Sequence, residues 1–596
     1  MLWSQHPPWD EAITAEFFPL ARYCAMNDLI ARSNPDGSTR RQKLLLIYPP
    51  MTTPTSPPLG APMLKGYIER ELPNWDVKVL DLNLWCYERL FEMLRSGFLQ
   101  IPGTSPSSLA ALLETPDFFR GKSMKDFYGD PAAYDQYGEL LLTLTHMMSE
   151  ILGREADDLH QGAHLTPLLS EAFDLIIKEQ ADCYGFSMIF SQQLPIGAAF
   201  GRLVRQVTGR KVFFGGSCFT AGAEDFLRWY PHSADVIIDG DGEEPLKQLL
   251  LQSGSAENVP GAVFFENGEV KRNTSEYRRD IDAYGKPDFG DLTLDRYYSP
   301  TPVIPLLLSR GCYWRRCTFC VHYMSAGLTY RLHGLEMVID MLRGFVEKGI
   351  RHFSFVDEMI APGHFAKLAD AIIESGLDIS YYALSKPNRT FTPEILAKMA
   401  RSGCKYLLWG LESGTQRILD LMDKGTKIED VEQVLRNAHA AGIANHVYMI
   451  CGFPTETEEE FHNTLRFLDR NRDYIYSIHR GTFSLEPGSP IHKEQERFGV
   501  TRAWMARPTP LGGRWHHETV SGMNRDEVQA VFRAAQPFLR RFNPYAVFLA
   551  NYRDHAMLVY DKLGADAVHK MPRHFPDLSK VIEARNSQTT TADLMS

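Results

Sequence analysis

Three of the nine cysteines in this 596-residue chain lie close together and could bind a metal centre. Cys312, Cys317 and Cys320 are separated by four residues and then by two. Three thiolates on one loop can hold three irons of a [4Fe–4S] cube, which leaves the fourth iron open to a substrate or cofactor. A zinc site with His322 as the fourth ligand is the alternative. The loop directly follows a predicted strand at the mouth of a strand–helix series, and this position favours the cluster.

Three further polar segments follow later predicted strands. Asp357 and Glu358 end the second strand of the series, and either carboxylate could accept hydrogen bonds from an ammonium group. A solvated charge pair at a helix N-terminus is the alternative. Glu412 and Ser413 follow the fourth strand, where Ser413 could equally be a helix N-cap. The fifth strand runs into residues 448–457, which include a Cys-Gly pair.

The elements that must position these residues form a repeating series. Strands are predicted at 305–309, 352–356, 379–384, 406–409, 446–450 and 477–483. Helices are predicted near 335–348, 365–375, 393–402, 415–422, 428–441 and 457–470. Six strand–helix units in succession predict an α/β fold, a partial (βα)6 TIM barrel over 303–498. A helix-rich C-terminal domain is expected over 499–596, ending in a polar run.

In this order the motifs resemble those of the radical S-adenosylmethionine (SAM) superfamily. The superfamily loop has three residues between its first two cysteines, whereas this chain has four. The resemblance implies that the three loop cysteines bind a [4Fe–4S] cluster. It assigns the following residues to SAM: Phe319, Asp357, Glu358, Glu412, Ser413, Cys451 and Gly452. Phe319 and the Cys-Gly pair would lie near the adenine, the acidic pair at the amino group, and the Glu-Ser pair at the ribose and carboxylate. For Phe319, a core aromatic side chain is the alternative.

Residues 41–272 show an earlier alternation of strands and helices, interrupted by a helical insertion at about 87–175. Strands are predicted at 43–48, 77–81, 183–188, 211–214 and 236–238, with a hairpin at 263–271. The alternation predicts a Rossmann-like domain built on a parallel sheet. An N-terminal extension (1–40) is expected before it, and a linker (273–302) rich in charged residues, Pro, Gly and Tyr after it.

Small residues cluster at the ends of these N-terminal strands, where ligands enter open α/β sheets. The pattern resembles the cobalamin-binding domain that precedes many radical SAM domains. The resemblance assigns ten residues to cobalamin: Pro50, Leu59, Gly60, Ser187, Gly215, Gly216, Ser217, Gly240, Gly242 and Glu243. A flat corrin with a long nucleotide tail needs close backbone approach, which such small residues permit. A Rossmann-like domain that packs without cofactor is the alternative.

Some cobalamin proteins ligate cobalt through the histidine of an Asp-x-His-x-x-Gly loop after the first strand. Residues 49–60 are rich in proline and threonine and contain no histidine. Residues 158–162 come near the motif, but their spacing is wrong and they fall in the helical insertion, so we reject them. The lower face of the cobalt is therefore expected to lack a histidine ligand, as in the radical SAM branch.

Composition limits the class of protein further. Hydrophobic residues make up 44% and charged residues 23%, as in globular proteins, and the formal net charge of −11 argues against a nucleic-acid partner. No apolar run is long enough to span a membrane, and residues 1–25 lack the basic start of a signal peptide. The six other cysteines, which include Cys24, are scattered and are interpreted as core thiols. A reduced, cytoplasmic setting is expected.

The resemblance spans about residues 40–495 and implies a cobalamin-dependent radical SAM C-methyltransferase. Its expected substrate is a natural product or peptide with an unactivated carbon, and its electron donor a flavodoxin- or ferredoxin-like protein. Cyclisation, ring contraction or oxidation without net methyl transfer is the main alternative, and a non-enzymatic cobalamin-binding module is another. Methylthiolation of tRNA would require a second cysteine trio and a basic C-terminal module, which the chain lacks. No catalytic residue is assigned. Five residues could line a substrate pocket, but a surface or core position is favoured for each: Tyr382, Arg480, Trp515, His516 and His517.

Overall fold

The structure, a computed structural model, describes residues 41–583 apart from 102–103, 122–123, 161–164, 221, 328 and 512. The predicted N-terminal extension, Cys24 and the polar C-terminal run lie outside the described residues. The chain divides into two compact units. The first contains the described residues up to 123 together with 136–276 and 284–300, and the second contains 124–135, 277–283 and the described residues from 301 onward.

The first unit is an α/β structure around one seven-stranded sheet. Its strands are β1 (Gln42–Tyr48), β2 (Trp75–Asp81), β3 (Cys183–Ser187), β4 (Lys211–Gly215), β5 (Val236–Ile238), β6 (Ala262–Glu266) and β7 (Glu269–Arg272). The helices up to this point in the chain are α1 (Gly60–Glu71), α2 (Leu82–Arg95), α3 (Pro106–Phe119), α4 (Met124–Gly129), α5 (Pro131–His160), α6 (Pro167–Lys178), α7 (Leu194–Thr208), α8 (Ala223–Trp229) and α9 (Glu243–Leu251). Of these, α4 and the first residues of α5 belong to the second unit.

The sheet of the first unit has the order β2-β1-β3-β4-β5-β6-β7. Strands β1 to β5 are parallel, and β6 and β7 form an antiparallel edge. Strand β1 is buried over most of its length, as expected for a strand with helices on both faces of its sheet. The chain turns to opposite sides of β1 to form β2 and β3. A reversal of this kind opens a crevice at the carboxyl ends of β1 and β3, where open α/β sheets bind ligands.

The segment predicted as a linker is held in place by buried contacts. Within the first unit, Tyr297 donates a hydrogen bond to Asp81 at 2.6 Å, and Lys65 forms an ion pair with Asp291 at 2.6 Å. Burial raises the pKa of Asp81 to about 6, although the Tyr297 hydroxyl opposes this shift. Composition alone did not reveal these contacts, because each one joins residues far apart in sequence.

The second unit is built around a six-stranded sheet. Its strands are β8 (Val303–Leu306), β9 (Ser309–Arg310), β10 (Arg331–Leu332), β11 (His352–Phe355), β12 (Ser380–Ser385), β13 (Cys404–Glu412), β14 (Ala444–Cys451), β15 (Ser477–Thr482), β16 (Val500–Arg507) and β17 (Arg514–Thr519). Its remaining helices are α10 (Leu335–Val346), α11 (Pro362–Ser375), α12 (Pro393–Arg401), α13 (Gln416–Leu421), α14 (Ile428–Ala440), α15 (Glu458–Arg470), α16 (Pro490–Lys493), α17 (Arg525–Leu539), α18 (Arg553–Leu563) and α19 (Ala565–His569).

Strands β8, β11, β12, β13, β14 and β15 are neighbours in chain order, and all are parallel. Each is followed by helical structure, which confirms the predicted α/β class and gives the strand order that a partial barrel requires. One face packs against the crossover helices, as the ring contact between Phe345 and Phe353 at 6.0 Å shows. We call the opposite face the inner face. Helix α18 covers part of it, with the rings of Tyr560 and Tyr406 5.1 Å apart.

The C-terminal region is helical, as predicted, but it begins with an antiparallel hairpin formed by β16 and β17. The sequence interpretation missed these strands, because a proline- and glycine-rich turn interrupts a stretch with few apolar residues. None of the described helices is long and apolar enough to cross a membrane.

Candidate functional site

The three-cysteine loop lies at the carboxyl end of β8. Strands β9 and β10 pair antiparallel on either side of it and so bring the two ends of the loop together. The backbone of Cys312 also pairs with that of Met359, just beyond β11, as an isolated parallel β-bridge. Cys317 is buried, while Cys312 and Cys320 are partly exposed. The thiols are therefore placed at the edge of the sheet where parallel strands present their functional groups.

The loop is anchored to the turn that follows α13. The Thr318 hydroxyl donates a hydrogen bond to the carbonyl of Leu421 at 3.0 Å, and the Trp314 indole donates one to the carbonyl of Asp423 at 2.7 Å. Gly425 has φ +61°, and a Cβ at this position would overlap the indole of Trp314. The turn therefore needs glycine both for its left-handed backbone and for the close approach of the tryptophan.

Two lysines that sequence reasoning missed lie beside the cysteines. Lys424 and Glu412 form a buried ion pair at 2.7 Å, and Lys386 lies 3.1 Å from the ring centre of Trp314. Burial raises the pKa of Cys317 above its ordinary value, and the charges of the two lysines oppose part of this shift. Burial, together with the charge of Lys424, lowers the pKa of Lys386 to about 8. Only the folded chain brings these lysines to the loop, and no sequence motif marks them.

This donor set fits a [4Fe–4S] cluster. The loop supplies three thiolates and no fourth cysteine, and the two lysines offset part of the negative charge that the thiolates bring. In the described part of the chain, no three Cys, His, Asp or Glu side chains converge closely enough to hold a single ion. His322 is largely exposed, with its Nδ1 3.9 Å from Glu358. The arrangement therefore gives the zinc alternative no support.

The two carboxylates after β11 have different environments. Asp357 is buried and accepts hydrogen bonds from the Ser309 hydroxyl at 2.5 Å and from the Leu308 amide at 3.1 Å. Burial raises the pKa of Asp357 to about 7. Glu358 is partly exposed and lies near Cys320 and 3.9 Å from His322. Among the described residues, it has no hydrogen-bond donor as close as Ser309 is to Asp357. Asp357 therefore fixes the chain between β8 and the cysteine loop, whereas Glu358 is available to accept hydrogen bonds from an ammonium group.

Glu412 at the end of β13 and Ser413 just after it have different contacts. Glu412 has φ +68° and directs its carboxylate to Lys424. Ser413 is fully buried, and its hydroxyl accepts a hydrogen bond from the Thr415 amide at 3.1 Å. Thr415 is the N-cap residue of α13, so Ser413 supports the start of this helix. Of the pair, only Glu412 lies beside the cysteine loop.

The end of β14 and the segment that follows it pack around the buried side chain of Glu456. Cys451 is fully buried, and Gly452 has φ +81°, with Val528 close to the position a Cβ would take. The Gly452 amide donates to Glu456 at 2.5 Å, and burial raises the pKa of Glu456 to about 8. Phe319 packs against an apolar cluster that includes Phe453, which agrees with the core alternative for Phe319.

In the first unit, predicted cobalamin contacts meet at the carboxyl ends of the strands. A Cβ on Gly60, after β1, would lie 2.9 Å from the Ser187 hydroxyl at the end of β3. Gln193 donates to the carbonyl of Pro49 at 2.6 Å and so links the loops after β1 and β3. Pro50, Leu59 and Glu243 are buried, while Gly240 and Gly242 are partly exposed.

The end of β4 offers the most open small residues. Gly216 and Ser217 are exposed, and a Cβ on Gly215 would have only ordinary contacts, with the Ile238 carbonyl 3.6 Å away. Gly216 has φ +115°, and a Cβ there would overlap the backbone of Met188. A flat ligand could approach this edge closely, so the residues fit a corrin. The rejected segment 158–162 lies partly outside the described residues.

The chain is similar in sequence to known proteins. Residues 306–468 match the family model described as the Radical SAM superfamily. An uncharacterized methyltransferase of Pyrococcus horikoshii is 30% identical over 264 residues, which are 43% of this chain and 57% of the relative. The bacteriochlorophyllide d C-12(1)-methyltransferase of Chlorobaculum tepidum is 32% identical over 230 residues, or 35% and 48% of the two chains. This chain thus spans about half the length of the curated relatives it matches.

The whole chain also resembles a solved structure. The cobalamin-dependent SAM radical enzyme OxsB, solved with aqua-cobalamin and SAM bound, superimposes with a TM-score of 0.58. The match covers 94% of this chain and 80% of that chain, at 14% identity, and so concerns the fold. Residues 306–468 are therefore similar to the Radical SAM superfamily, and the fold of the chain is similar to that of OxsB.

Proposed function

We propose that this protein is a cobalamin-dependent radical SAM methyltransferase that adds a methyl group to an unactivated carbon of a natural-product or peptide substrate. The observation that carries the proposal is the loop of three cysteines, held beside Lys386 and Lys424 at the carboxyl edge of a parallel sheet. Two relatives whose names are those of methyltransferases support methyl transfer.

When bound, the cluster with SAM supplies one-electron chemistry that removes a hydrogen atom from the substrate, and cobalamin supplies the methyl group. In this proposal Cys312, Cys317 and Cys320 hold three irons of the cluster. Lys386 and Lys424 reduce the charge repulsion among their thiolates, because both lysines lower the pKa of Cys317. Asp357 holds the preceding segment through Ser309 and so sets where the loop begins.

The chain's own residues would bind SAM beside the open iron. Glu358 accepts hydrogen bonds from the amino group, since its carboxylate is the less engaged of the acidic pair. Glu412, whose carboxylate Lys424 orients, would contact the ribose and carboxylate. Cys451 and Gly452 contribute a backbone edge for the adenine. In the first unit, Gly215, Gly216 and Ser217 would let the corrin approach the sheet edge.

The test is anaerobic turnover of the reconstituted protein with SAM, cobalamin and a chemical reductant, followed by the same assay with a flavodoxin- or ferredoxin-like donor. Candidate peptides and natural products are screened by mass spectrometry. Equal amounts of 5′-deoxyadenosine and S-adenosylhomocysteine, with a product heavier by one CH2 unit, would support the proposal. Deoxyadenosine without S-adenosylhomocysteine, together with a cyclised, contracted or oxidised product, would overturn it in favour of the alternative.

A further inference from the structure

The inner face of the six-stranded sheet carries polar side chains that the proposed function leaves without a role. The rings of Tyr448 on β14 and His479 on β15 lie with centroids 5.3 Å apart. The guanidinium carbon of Arg553, the first residue of α18, lies 5.5 Å from the Tyr448 ring centre. Arg553 and His479 are exposed, whereas Tyr382 beside them is buried. We call Tyr382, Tyr448, His479 and Arg553 the inner recess.

Arg553 is a cation for which the described part of the chain provides no ion pair. Among the described residues, no carboxylate lies within ion-pair distance of its guanidinium. The adjacent Asp554 instead accepts a hydrogen bond from the Tyr382 hydroxyl at 3.0 Å. Lys424, the buried cation of the same unit, has its carboxylate partner at 2.7 Å. An exposed guanidinium set among aromatic rings is well suited to bind a carboxylate or phosphate with two parallel hydrogen bonds.

Two other polar groups of this face are also buried without a hydrogen bond from the residues that the structure describes. Within the described part of the chain, the Tyr448 hydroxyl and Nε2 of His446 are buried without a hydrogen-bond partner. Loss of hydration among the surrounding side chains, reinforced by the charge of Arg553, lowers the pKa of both His446 and His479. Both imidazoles are therefore neutral at pH 7, and Arg553 supplies the positive charge. The Tyr448 hydroxyl can donate a hydrogen bond to a ligand that also reaches Arg553.

Helix α18 adds to the same electrostatic preference. It begins at Arg553, and its N-cap residue, Tyr552, makes no side-chain capping hydrogen bond. The N-terminal end of a helix carries partial positive charge and favours a neighbouring anion. Asp554 and Tyr560 of this helix contact β12 and β13, so the helix lies along the inner face. Its first turn, which also carries the acidic Asp554, lies beside Tyr382.

The recess adjoins the residues assigned to SAM. Tyr448 pairs in register with Gly410, two residues before Glu412, and precedes Cys451 by three residues on β14. We propose that the inner recess binds a carboxylate or phosphate group of the substrate through Arg553, while the rings of Tyr448 and His479 pack against the rest of that molecule. This inference rests on the proposed function, which places the substrate next to SAM.

The experiment measures binding rather than turnover. Cluster-loaded protein is dialysed to equilibrium against 1-naphthoate, 1-naphthyl phosphate and the neutral 1-naphthamide, and each probe is quantified by chromatography. The variants are Arg553→Met, Arg553→Lys and, as a matched control, Arg533→Met, which removes an exposed arginine of α17. Iron content and circular dichroism establish that each variant is folded and loaded.

We expect the wild type to bind at least one anionic probe about tenfold more tightly than naphthamide. Arg553→Met should abolish this difference, Arg553→Lys should keep part of it, and Arg533→Met should keep all of it. Comparing naphthoate with naphthyl phosphate distinguishes carboxylate from phosphate recognition.

Equal affinity of the wild type for all three probes would overturn the inference, and so would unchanged anion binding by Arg553→Met. SAM binding is measured in parallel. If Arg553→Met weakened SAM binding and left the anionic probes unaffected, Arg553 would belong to the SAM site instead. None of these outcomes depends on S-adenosylhomocysteine formation, so failure of this inference is distinguishable from failure of the proposed function.

Discussion

At the scale of single residues, the second unit contains a buried ion pair in which each charge stabilises the other. Glu412 and Lys424 are both almost fully buried, and their ion pair joins the end of β13 to the turn beside the cysteine loop. Burial lowers the pKa of Lys424, but Glu412 and the cysteine thiolates outweigh it and raise the pKa above its ordinary value. Lys424 therefore stays charged in the folded protein, and its charge lies beside the cysteine loop.

Replacing Lys424 with methionine should be strongly destabilising, because it leaves the Glu412 carboxylate buried without its partner. We expect a loss of about 3–5 kcal/mol in the free energy of unfolding, measured by denaturant titration of the apo-protein. Lys424→Arg should retain most of the stability. The control is Lys398→Met, which breaks an exposed pair with Asp370 and should cost about 1 kcal/mol or less. Equal losses in the two methionine variants would contradict the importance of the buried pair.

Glu456 predicts a specific dependence of stability on pH. Its pKa is raised to about 8 by burial, so the folded protein holds a proton that the unfolded chain has already lost above pH 5. The stability that this proton contributes is fully present at low pH and is lost as the pH rises toward 8. Glu456→Gln cannot lose a proton. Its melting temperature relative to wild type should therefore rise by a few degrees between pH 6 and pH 8, measured by circular dichroism of the apo-protein.

The matched control for that measurement is Glu459→Gln, which changes an exposed carboxylate three residues along the chain. Its melting temperature should follow that of the wild type over the same pH range. A constant difference between Glu456→Gln and wild type from pH 6 to pH 8 would show that Glu456 titrates well below this range.

At the scale of elements, the cysteine loop depends on the turn after α13 as much as on its own residues. Trp314 and Thr318 fasten the loop to that turn, and Gly425 provides the space for the indole. The superfamily spacing of three residues is replaced here by four, so the loop is one residue longer. The hydrogen bonds of Trp314 and Thr318 anchor the middle of this longer loop, and so reduce the conformational entropy that the extra residue adds.

Gly425→Ala should therefore impair cluster binding. The new Cβ would overlap Trp314 and push the loop away from its turn, in addition to a backbone strain of about 1 kcal/mol at positive φ. We expect at least a twofold fall in iron and sulfide bound after anaerobic reconstitution. Gly442→Ala carries the same backbone strain at φ +80° but has no atom within 4 Å of the new Cβ, so it should bind iron like the wild type. Equal iron content in the two variants would contradict the anchoring role of Trp314.

At the scale of the whole molecule, the two compact units should respond independently to local changes. Gly216→Ala places a Cβ against the backbone of Met188 at a position with φ +115°, so the loop after β4 has to move. We expect its affinity for hydroxocobalamin to fall about tenfold or more in equilibrium dialysis, with unchanged iron content. Gly268→Ala, in the turn between β6 and β7, has open space and serves as the control. Loss of iron in Gly216→Ala would contradict the independence of the units.

The fold class could be predicted from sequence because strand and helix periodicities are local, and so is the three-cysteine spacing. The positions of Lys386, Lys424 and Arg553 could not, since each residue reaches the neighbours described above only after folding. From sequence alone, Asp357 and Glu358 were equally good candidates to accept hydrogen bonds from the ammonium group. The structure distinguishes them through Ser309, whose hydroxyl engages Asp357 and leaves Glu358 open.

The position of α18 on the inner face has a consequence for how the chain is made on the ribosome. Every strand that α18 contacts is synthesised before it, and the chain between β15 and α18 takes several seconds to emerge at about 5–20 residues per second. During that interval the nascent sheet presents Tyr382, Tyr406 and their neighbours to the cell without their covering helix. Chaperones that shield apolar surface would have to act within these seconds, before the last helices close over the sheet.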